Sequence, residues 1–168
     1  LLGTNSTTPP SHPRLKTIWF SSARDLDAKL KELWPSHNIL IMAAAVADFT
    51  PRGGQSKSKI RRGSTDTIEL SPTDDIVANL AKNAREDQRV ICFALEEPSK
   101  LEVIALEKMK RKEVDAIVAN PLETMESKNI SAQVMRKDGK LISPPQDIQK
   151  SQFAQWLIEH LDDILETT

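Results

Sequence analysis

Two groups of cationic side chains have the spacing needed to act on a phosphate-bearing ligand. The first is the run from Lys57 to Arg62, in which Lys and Arg dominate within a glycine-flanked segment. The second is the pair Lys108 and Lys112, whose i, i+4 spacing places both on one helix face. Cations that converge on one pocket can clamp a triphosphate and stabilise charge developing on it. A solvated basic loop and an ordinary amphipathic helix explain the same residues, so both interpretations stay open here.

One acidic residue follows a strand where ligands commonly bind. The apolar run 39–42, extended to Ala44, predicts a buried strand, and Asp48 and Phe49 come shortly after it. Ligands of open α/β sheets bind at the carboxyl ends of the strands. A carboxylate buried there needs a partner, because an unpaired buried charge is costly. The alternative is a packed strand followed by a loop with a solvated Asp48.

Composition limits the class of protein. The 168 residues fit one domain, and 23 Lys and Arg against 24 Asp and Glu argue against general polyanion or nucleic-acid binding. Cys92 is the only cysteine, which excludes an internal disulfide and favours a reducing, cytoplasmic location. No run of 18 apolar residues occurs, so no membrane span is predicted. The start at Leu1, without a signal-peptide pattern, suggests a fragment or a processed product.

Other chemistries lack support in the sequence. Cys92 lies between apolar residues and is interpreted as core packing. The three histidines have no metal-ligand spacing, so no protein metal site is predicted. Neither GxGxxG nor GxxxxGK occurs, and the chain has no Tyr, which argues against the common dehydrogenases.

Periodicity predicts alternating strands and helices. Helices are expected at 23–34, 76–82, 100–112 and 148–165, and strands at 15–20, 39–44, 67–70, 90–93 and 114–119. Residues 131–135 and 140–142 flank Asp138-Gly139, a two-residue hairpin signal. Residues 3–13 are expected to form a loop, and 52–65 a mobile basic flap or an exposed hairpin arm. These elements predict a three-layer α/β sandwich on a mainly parallel sheet, with an appended antiparallel hairpin.

Six short motifs in order carry a family resemblance. They are Ala-Ala-Ala-Val-Ala-Asp-Phe at 43–49, Lys-Ile-Arg-Arg at 59–62, Asp-Ile-Val at 75–77, Phe-Ala-x-Glu at 93–96, Lys-x-x-x-Lys at 108–112 and Asp-x-Ile-Val-Ala-Asn at 115–120. Together they resemble phosphopantothenate–cysteine ligase, which in most bacteria is the C-terminal half of a bifunctional coenzyme A biosynthesis protein. The resemblance runs from about Leu1 to the last predicted helix.

The resemblance implies a fold, a reaction and partners. It implies a Rossmann-like homodimer that activates the carboxylate of 4′-phosphopantothenate with CTP or ATP and Mg²⁺. The amine of cysteine then attacks the acyl-nucleotide intermediate. The implied partners are small molecules and a second copy of the chain, with no nucleic acid and no membrane.

The resemblance also implies the site residues. Lys59 would be the catalytic lysine of the flap, Phe93 would pack on the base, and Lys108 and Lys112 would contact the phosphates. The nucleotide-binding residues implied are Ala44, Ala45, Asp48, Asp74, Asp75, Ile76, Val77, Phe93, Lys108 and Lys112.

The sequence departs from the family pattern at its start. The family's first strand, its Gly-rich loop and a catalytic Asn are expected before Leu1, so residues 1–168 are interpreted as one ligase domain that lacks them. Two alternatives stay open: a non-catalytic nucleotide-binding or dimerisation module, and a Rossmann-type oxidoreductase.

Overall fold

A computed structural model describes residues 1–4, 8–52 and 67–166, which form two compact units. Unit 1 contains Leu1–Leu30 and Ala44–Asp75, and unit 2 contains Lys31–Ala43 and Ile76–Thr168. Nearly all of the predicted flap, including Lys59, lies outside the described residues. The expectation that the flap is mobile therefore stays a prediction.

The described residues contain eleven short or medium strands and five α-helices. The strands are β1 Leu2–Gly3, β2 Ile18–Trp19, β3 Ile39–Met42, β4 Phe49–Pro51, β5 Leu70–Pro72, β6 Arg89–Glu96, β7 Ala116–Pro121, β8 Asn129–Ile130, β9 Gln133–Arg136, β10 Leu141–Ile142 and β11 Ile148–Gln149. The helices are α1 Ala23–Leu33, α2 Ile76–Lys82, α3 Leu101–Lys112, α4 Lys150–Glu159 and α5 Leu161–Leu165.

Unit 2 is built on a five-stranded sheet with the order β10-β9-β7-β6-β3. The pairs β3–β6 and β6–β7 are parallel, whereas β7–β9 and β9–β10 are antiparallel. The appended hairpin is thus β9–β10, and the predicted Rossmann-like α/β class is confirmed.

Alternation along the strands divides the core of unit 2 into two faces. Ile91 and Val118 pack with Phe153 and Ile164, so α4 and α5 cover one face. Cys92, which points to the other face, is 3% exposed, and α2 and α3 contact the strands there. Helices on both faces of the sheet give the three layers.

The described part of unit 1 contains two small paired-strand elements. β1 and β2 are parallel, with Phe20 N donating to Gly3 O at 2.9 Å. β4 and β5 form an antiparallel ribbon, beyond which Arg52 N donates to Glu69 O at 2.8 Å. The strand predicted at 67–70 was misplaced: pairing starts at Leu70, where β5 meets the partner strand β4.

Three other sequence-based expectations needed correction. β3 was expected to be buried and to reach Ala44, but it ends at Met42 and Ile39 is 43% exposed, because among the described residues β6 is its only sheet partner. The hairpin turn holds three residues rather than two, since Arg136 N donates to Lys140 O and Gly139, with φ 84°, follows a left-handed path.

The last predicted helix is two helices. α4 ends at Glu159 and α5 begins at Leu161, while His160 takes φ −106° and ψ 14° between them. Residues 148 and 149 pair as strand β11 with β8 instead of opening the helix. The apolar face was predicted correctly, because Phe153, Leu157 and Ile164 are buried.

The start of α1 is stabilised by hydrogen bonds between side chains and the backbone. Asp25 N donates to Ser22 Oγ at 3.2 Å, and Ser21 N donates to Asp25 Oδ2 at 3.0 Å. The hydrogen bond from Lys29, followed by the one from Ser21, lowers the pKa of the Asp25 carboxyl below its ordinary value. These bonds stabilise the ionised carboxylate at the N-terminus of the helix.

The Asp25→Asn variant should be less sensitive to acid than the wild type. A lowered folded-state pKa gives stability that is full above the unfolded value of 3.8 and is lost as pH falls through the folded pKa. Urea unfolding at pH 7 and pH 3 measures the difference. An equal loss of stability in both proteins would contradict this account.

All helices in the described ranges are too short or too polar to span a lipid bilayer.

Candidate functional site

The carboxyl edge of the unit 2 sheet is formed by the ends of β6 and β7. Glu96 and Pro121 close these strands and face each other in the register. Phe93 pairs with Val118, and Asn120 lies two residues further along β7 on the same face as Val118. Phe93 and Asn120 are therefore diagonal neighbours on one face of two adjacent strands.

Phe93 leads a row of aromatic rings. Its ring meets Phe153 edge to face at 6.4 Å, Phe153 stacks on Trp156 at 5.9 Å, and Trp156 stacks on His160 at 4.6 Å. Phe93 is half-buried, so one part of the ring packs on α4 and another remains accessible. Its predicted stacking on a base stays a prediction.

Two buried amide oxygens at this edge have no hydrogen-bond partner among the described residues. They are Asn120 Oδ1 and Gln133 Oε1. Gln133 pairs with Ala119, so its side chain points to the face opposite that of Asn120. A buried acceptor without a partner is costly and is commonly satisfied by water or a ligand.

Lys108 reaches this edge through an ion pair. Its Nζ contacts Glu96 Oε1 at the end of β6, and both side chains are largely shielded. Lys112 is also half-buried but is the last residue of α3. Because α3 runs back from the carboxyl edge to the start of β7, Lys112 lies about 16 Å along the axis from Leu101.

Ile76 and Val77 begin α2 and are core residues of unit 2. They are 5% and 8% exposed, and α2 packs on α3 and β6. Their side chains hold the helix on the sheet, so any contact with a nucleotide falls to the backbone at the start of the helix.

The predicted site residues of unit 1 lie in loops beside the β4–β5 ribbon. Ala44 and Ala45 are exposed, as is Asp48, so the Asp48 carboxylate is solvated and needs no buried partner. Thr73 N donates to Asp48 O at 2.8 Å, which brings Asp48 next to the segment that carries Asp74 and Asp75.

Metal ligation by the protein alone is not supported. Across residues 1–4, 8–52 and 67–166, no three His, Cys, Asp or Glu side chains are grouped so that they could hold a metal ion. Mg²⁺ in phosphate-handling sites is commonly held by one or two carboxylates together with the substrate phosphates. The described residues could therefore hold Mg²⁺ only together with the phosphates of a bound substrate.

Asp115, the first residue of the motif at 115–120, binds the backbone at the end of the sheet opposite the carboxyl edge. Its Oδ2 accepts a hydrogen bond from Val90 N at 2.8 Å at the amino edge of the sheet. A cavity of about 210 Å³ also opens at this edge, beside Arg136 and Asp138, whose charges pair with each other at 3.1 Å. The cavity is therefore separate from the carboxyl edge of the sheet.

Sequence reasoning gave no role to Glu96 or Asn120, although both belong to quoted motifs. The sequence pattern that could have indicated them is a polar residue at the end of an otherwise apolar strand. Only the register shows which face each side chain takes.

Solved structures support the fold. The C-terminal domain of coenzyme A biosynthesis bifunctional protein CoaBC superposes with a TM-score of 0.74 at 23% identity, covering 98% of this chain and 74% of that one. A DNA/pantothenate metabolism flavoprotein from Streptococcus pneumoniae gives 0.78 at 22% identity, covering 96% and 79%. A Cab2 variant complexed with phosphopantothenate-cysteine gives 0.67 at 19% identity, covering 87% and 53%.

Curated relatives are longer proteins. The Borreliella burgdorferi CoaBC protein is 30% identical over 146 residues, 86% of this chain and 37% of the relative. The Escherichia coli protein of the same name is 30% identical over 161 residues, 90% and 38%. A cysteine/cysteine sulfinic acid decarboxylase from an unknown prokaryote is 41% identical over 115 residues, 68% and 32%. The chain spans about a third of the length of these relatives.

The family itself is defined by a match that covers almost the whole chain. Residues 2–165 fit the sequence profile of the DNA/pantothenate metabolism flavoprotein C-terminal domain. The α/β fold of unit 2 agrees with that of its structural neighbours. This chain belongs to the family of the DNA/pantothenate metabolism flavoprotein C-terminal domain.

Proposed function

We propose that this domain serves a ligase of coenzyme A biosynthesis that joins 4′-phosphopantothenate to cysteine. Its family membership and the CoaBC relatives support the proposal. The neighbouring Cab2 complex, which holds phosphopantothenate-cysteine, has the same fold as this chain.

The proposed reaction has two steps. A carboxylate oxygen of phosphopantothenate attacks the α-phosphorus of CTP or ATP, and pyrophosphate leaves. The amine of cysteine then attacks the acyl carbon, loses a proton, and displaces the nucleoside monophosphate. Fixed cations that stabilise charge on the phosphates supply much of the catalysis.

The proposed roles follow the family motifs. Lys59 acts in the activation step, whereas Lys108 holds phosphates that arrive with Mg²⁺. Lys112, in the last turn of α3, would join Lys108 there by reaching back along the helix towards its N-terminus. The nucleotide would also be contacted by Ala44, Ala45, Asp48, Asp74, Asp75, Ile76, Val77 and Phe93. Homodimer formation stays a prediction from the resemblance.

The observation that carries the proposal is that Asn120 Oδ1 has no hydrogen-bond partner in the part of the chain that the structure describes. It is a buried acceptor at the carboxyl edge of the sheet, and its diagonal neighbour Phe93 offers a partly accessible ring. Cytosine and adenine both combine a flat face with an exocyclic amino group. We propose that the ring stacks on the base and that Asn120 Oδ1 accepts a hydrogen bond from this amino group.

Asn120→Leu should weaken nucleotide binding without lowering stability. Leucine removes an unpaired acceptor, so the melting temperature should not fall, while KM for CTP or ATP should rise roughly tenfold. UTP, which has a carbonyl in place of the amino group, should lose its disadvantage in the variant. Steady-state kinetics with the three nucleotides measures this.

Gln133→Leu is the matched control for that variant. It removes the other unpaired amide oxygen, on the opposite face, and should leave KM and base preference unchanged. A shift in base preference caused by Gln133→Leu, or none caused by Asn120→Leu, would contradict the base-binding role of Asn120.

The test of the overall function uses the complete protein that contains this domain. Phosphopantothenate, cysteine, Mg²⁺ and CTP or ATP should give pyrophosphate and the cysteine conjugate. Nucleotide binding with no product would favour a non-catalytic nucleotide-binding or dimerisation module. Hydride transfer to a nicotinamide would favour an oxidoreductase. Release of CO₂ from cysteine would favour the decarboxylase activity for which one relative is named.

A further inference from the structure

The ion pair between Glu96 and Lys108 joins two elements at the carboxyl edge of unit 2. Glu96 is the last residue of β6, and Lys108 lies in the second half of α3. The Glu96 side chain is 15% exposed and that of Lys108 is 32% exposed. The carboxylate is thus the better-fixed partner, and the ammonium is the one that solvent and ligands can reach.

The position of Glu96 is set by the sheet. Its register with Pro121 fixes its backbone, and it shares its face with Ala94, on the side covered by α3. Lys108, in contrast, is a long side chain with much rotational freedom. Contact with Glu96 fixes where its ammonium lies.

The ion pair leaves Lys108 able to bind a phosphate. An ammonium has three hydrogen-bond donors, and the contact with Glu96 needs only one. Cβ atoms of a helix tilt towards its N-terminus, which for α3 is the carboxyl edge of the sheet. The ammonium held by Glu96 therefore lies on the side of the sheet where ligands of such folds bind.

We propose that Glu96 is a positioning residue that holds Lys108 at the phosphate-binding edge. The inference rests on the proposed function, in which Lys108 contacts the triphosphate. Glu96 itself does not touch the nucleotide and acts through the hydrogen bond it accepts from Lys108. A preorganised cation avoids the entropy cost of ordering a free lysine when the nucleotide binds.

The test measures CTP affinity by calorimetry with Mg²⁺, and KM and kcat in the ligase assay, on the complete protein. Glu96→Ala should raise Kd and KM about tenfold with little change in kcat, since a contact made equally in ground and transition states is weakened. Glu96→Gln keeps a side-chain oxygen acceptor and should stay within about threefold of the wild type. ATP replaces CTP as the probe if the wild type binds ATP more tightly.

Two comparisons separate positioning from a general loss of structure. Glu97→Ala removes the neighbouring exposed ion pair with Lys100 and should leave Kd unchanged. In a double-mutant cycle, Glu96→Ala added to Lys108→Ala should weaken binding no further than Lys108→Ala alone. Thermal melting checks that each variant is folded.

The possible failures are distinguishable. If Lys108→Ala weakens binding but Glu96→Ala does not, or if Glu96→Gln is as weak as Glu96→Ala, the positioning role is wrong while the proposed function stands. If Lys108→Ala leaves Kd unchanged, the phosphate contact is wrong, and the positioning role fails with it. A wild-type protein that binds neither CTP nor ATP overturns the proposed function.

Discussion

Lys59→Gln in the complete protein is expected to slow acyl-nucleotide formation by on the order of a hundredfold or more. A flap lysine can close over the triphosphate and stabilise the charge that develops as pyrophosphate leaves. This contact is made mainly in the transition state, so its loss lowers kcat more than nucleotide affinity. Lys108 and Lys112 would remain to hold the phosphates in the ground state.

The β4–β5 ribbon supports this expectation by fixing the two ends of the segment that carries Lys59. Arg52 and Glu69 are joined both by their backbones and by an ion pair at 3.0 Å. Pyrophosphate release measures the effect, and Lys57→Gln, two residues away, is the control that should remain active. A Lys59 variant that released pyrophosphate at the wild-type rate would show that the assignment is wrong.

Gln88→Leu is expected to destabilise the protein by about 2–4 kcal/mol. Gln88 is 3% exposed, and its Nε2 donates to Trp34 O and His37 O, both at 2.7 Å. Its Oε1 accepts from Arg85 N at 2.9 Å. Leucine would leave His37 O and Arg85 N without these partners where the turn after α1 meets the turn before β6, and Trp34 O would keep only the hydrogen bond from His37 N at 3.1 Å.

Thermal unfolding measures this loss, which should lower the melting temperature by roughly 5–15 °C. Gln155→Leu is the matched control, because Gln155 is exposed on α4 and bonds only to the Glu159 side chain among the described contacts. It should change stability by less than about 0.5 kcal/mol. Equal melting temperatures for the Gln88 variant and the wild type would refute the account.

Local signals predicted both ends of α2 correctly, but they gave no sign of where α4 ends. Asp74 and Asp75 followed by Ile76, Val77 and Leu80 mark a helix start and one apolar face, and α2 has the predicted bounds. Leu157, Leu161 and Ile164 continue a helical period across His160, so periodicity shows no break there. The kink is visible only in the backbone angles of His160.

Long-range pairing explains the rest of what the sequence could not show. The run at 39–42 is as apolar as a central strand, and only the strand order reveals that β3 has a single partner among the described strands. The contact between Glu96 and Lys108 joins residues twelve positions apart through the packing of α3 on the sheet. The sequence identified the strand at 39–42 and the motifs that contain Glu96 and Lys108. It did not show that β3 has one partner among the described strands, or that Glu96 and Lys108 form an ion pair.

The burial of Cys92 in the middle of β6 makes it a natural reporter of how often the helices on its face of the central sheet open. The thiol is 3% exposed and points to the face that α2 and α3 cover, so a thiol reagent reaches it only when this layer moves away from the sheet. Because the chain has no other cysteine, every labelled molecule records an opening of this one place. When closing is faster than labelling, the labelling rate gives the free energy of opening directly. Measured with and without CTP, the same rate reports how strongly a nucleotide bound at the edge of the sheet stabilises its centre.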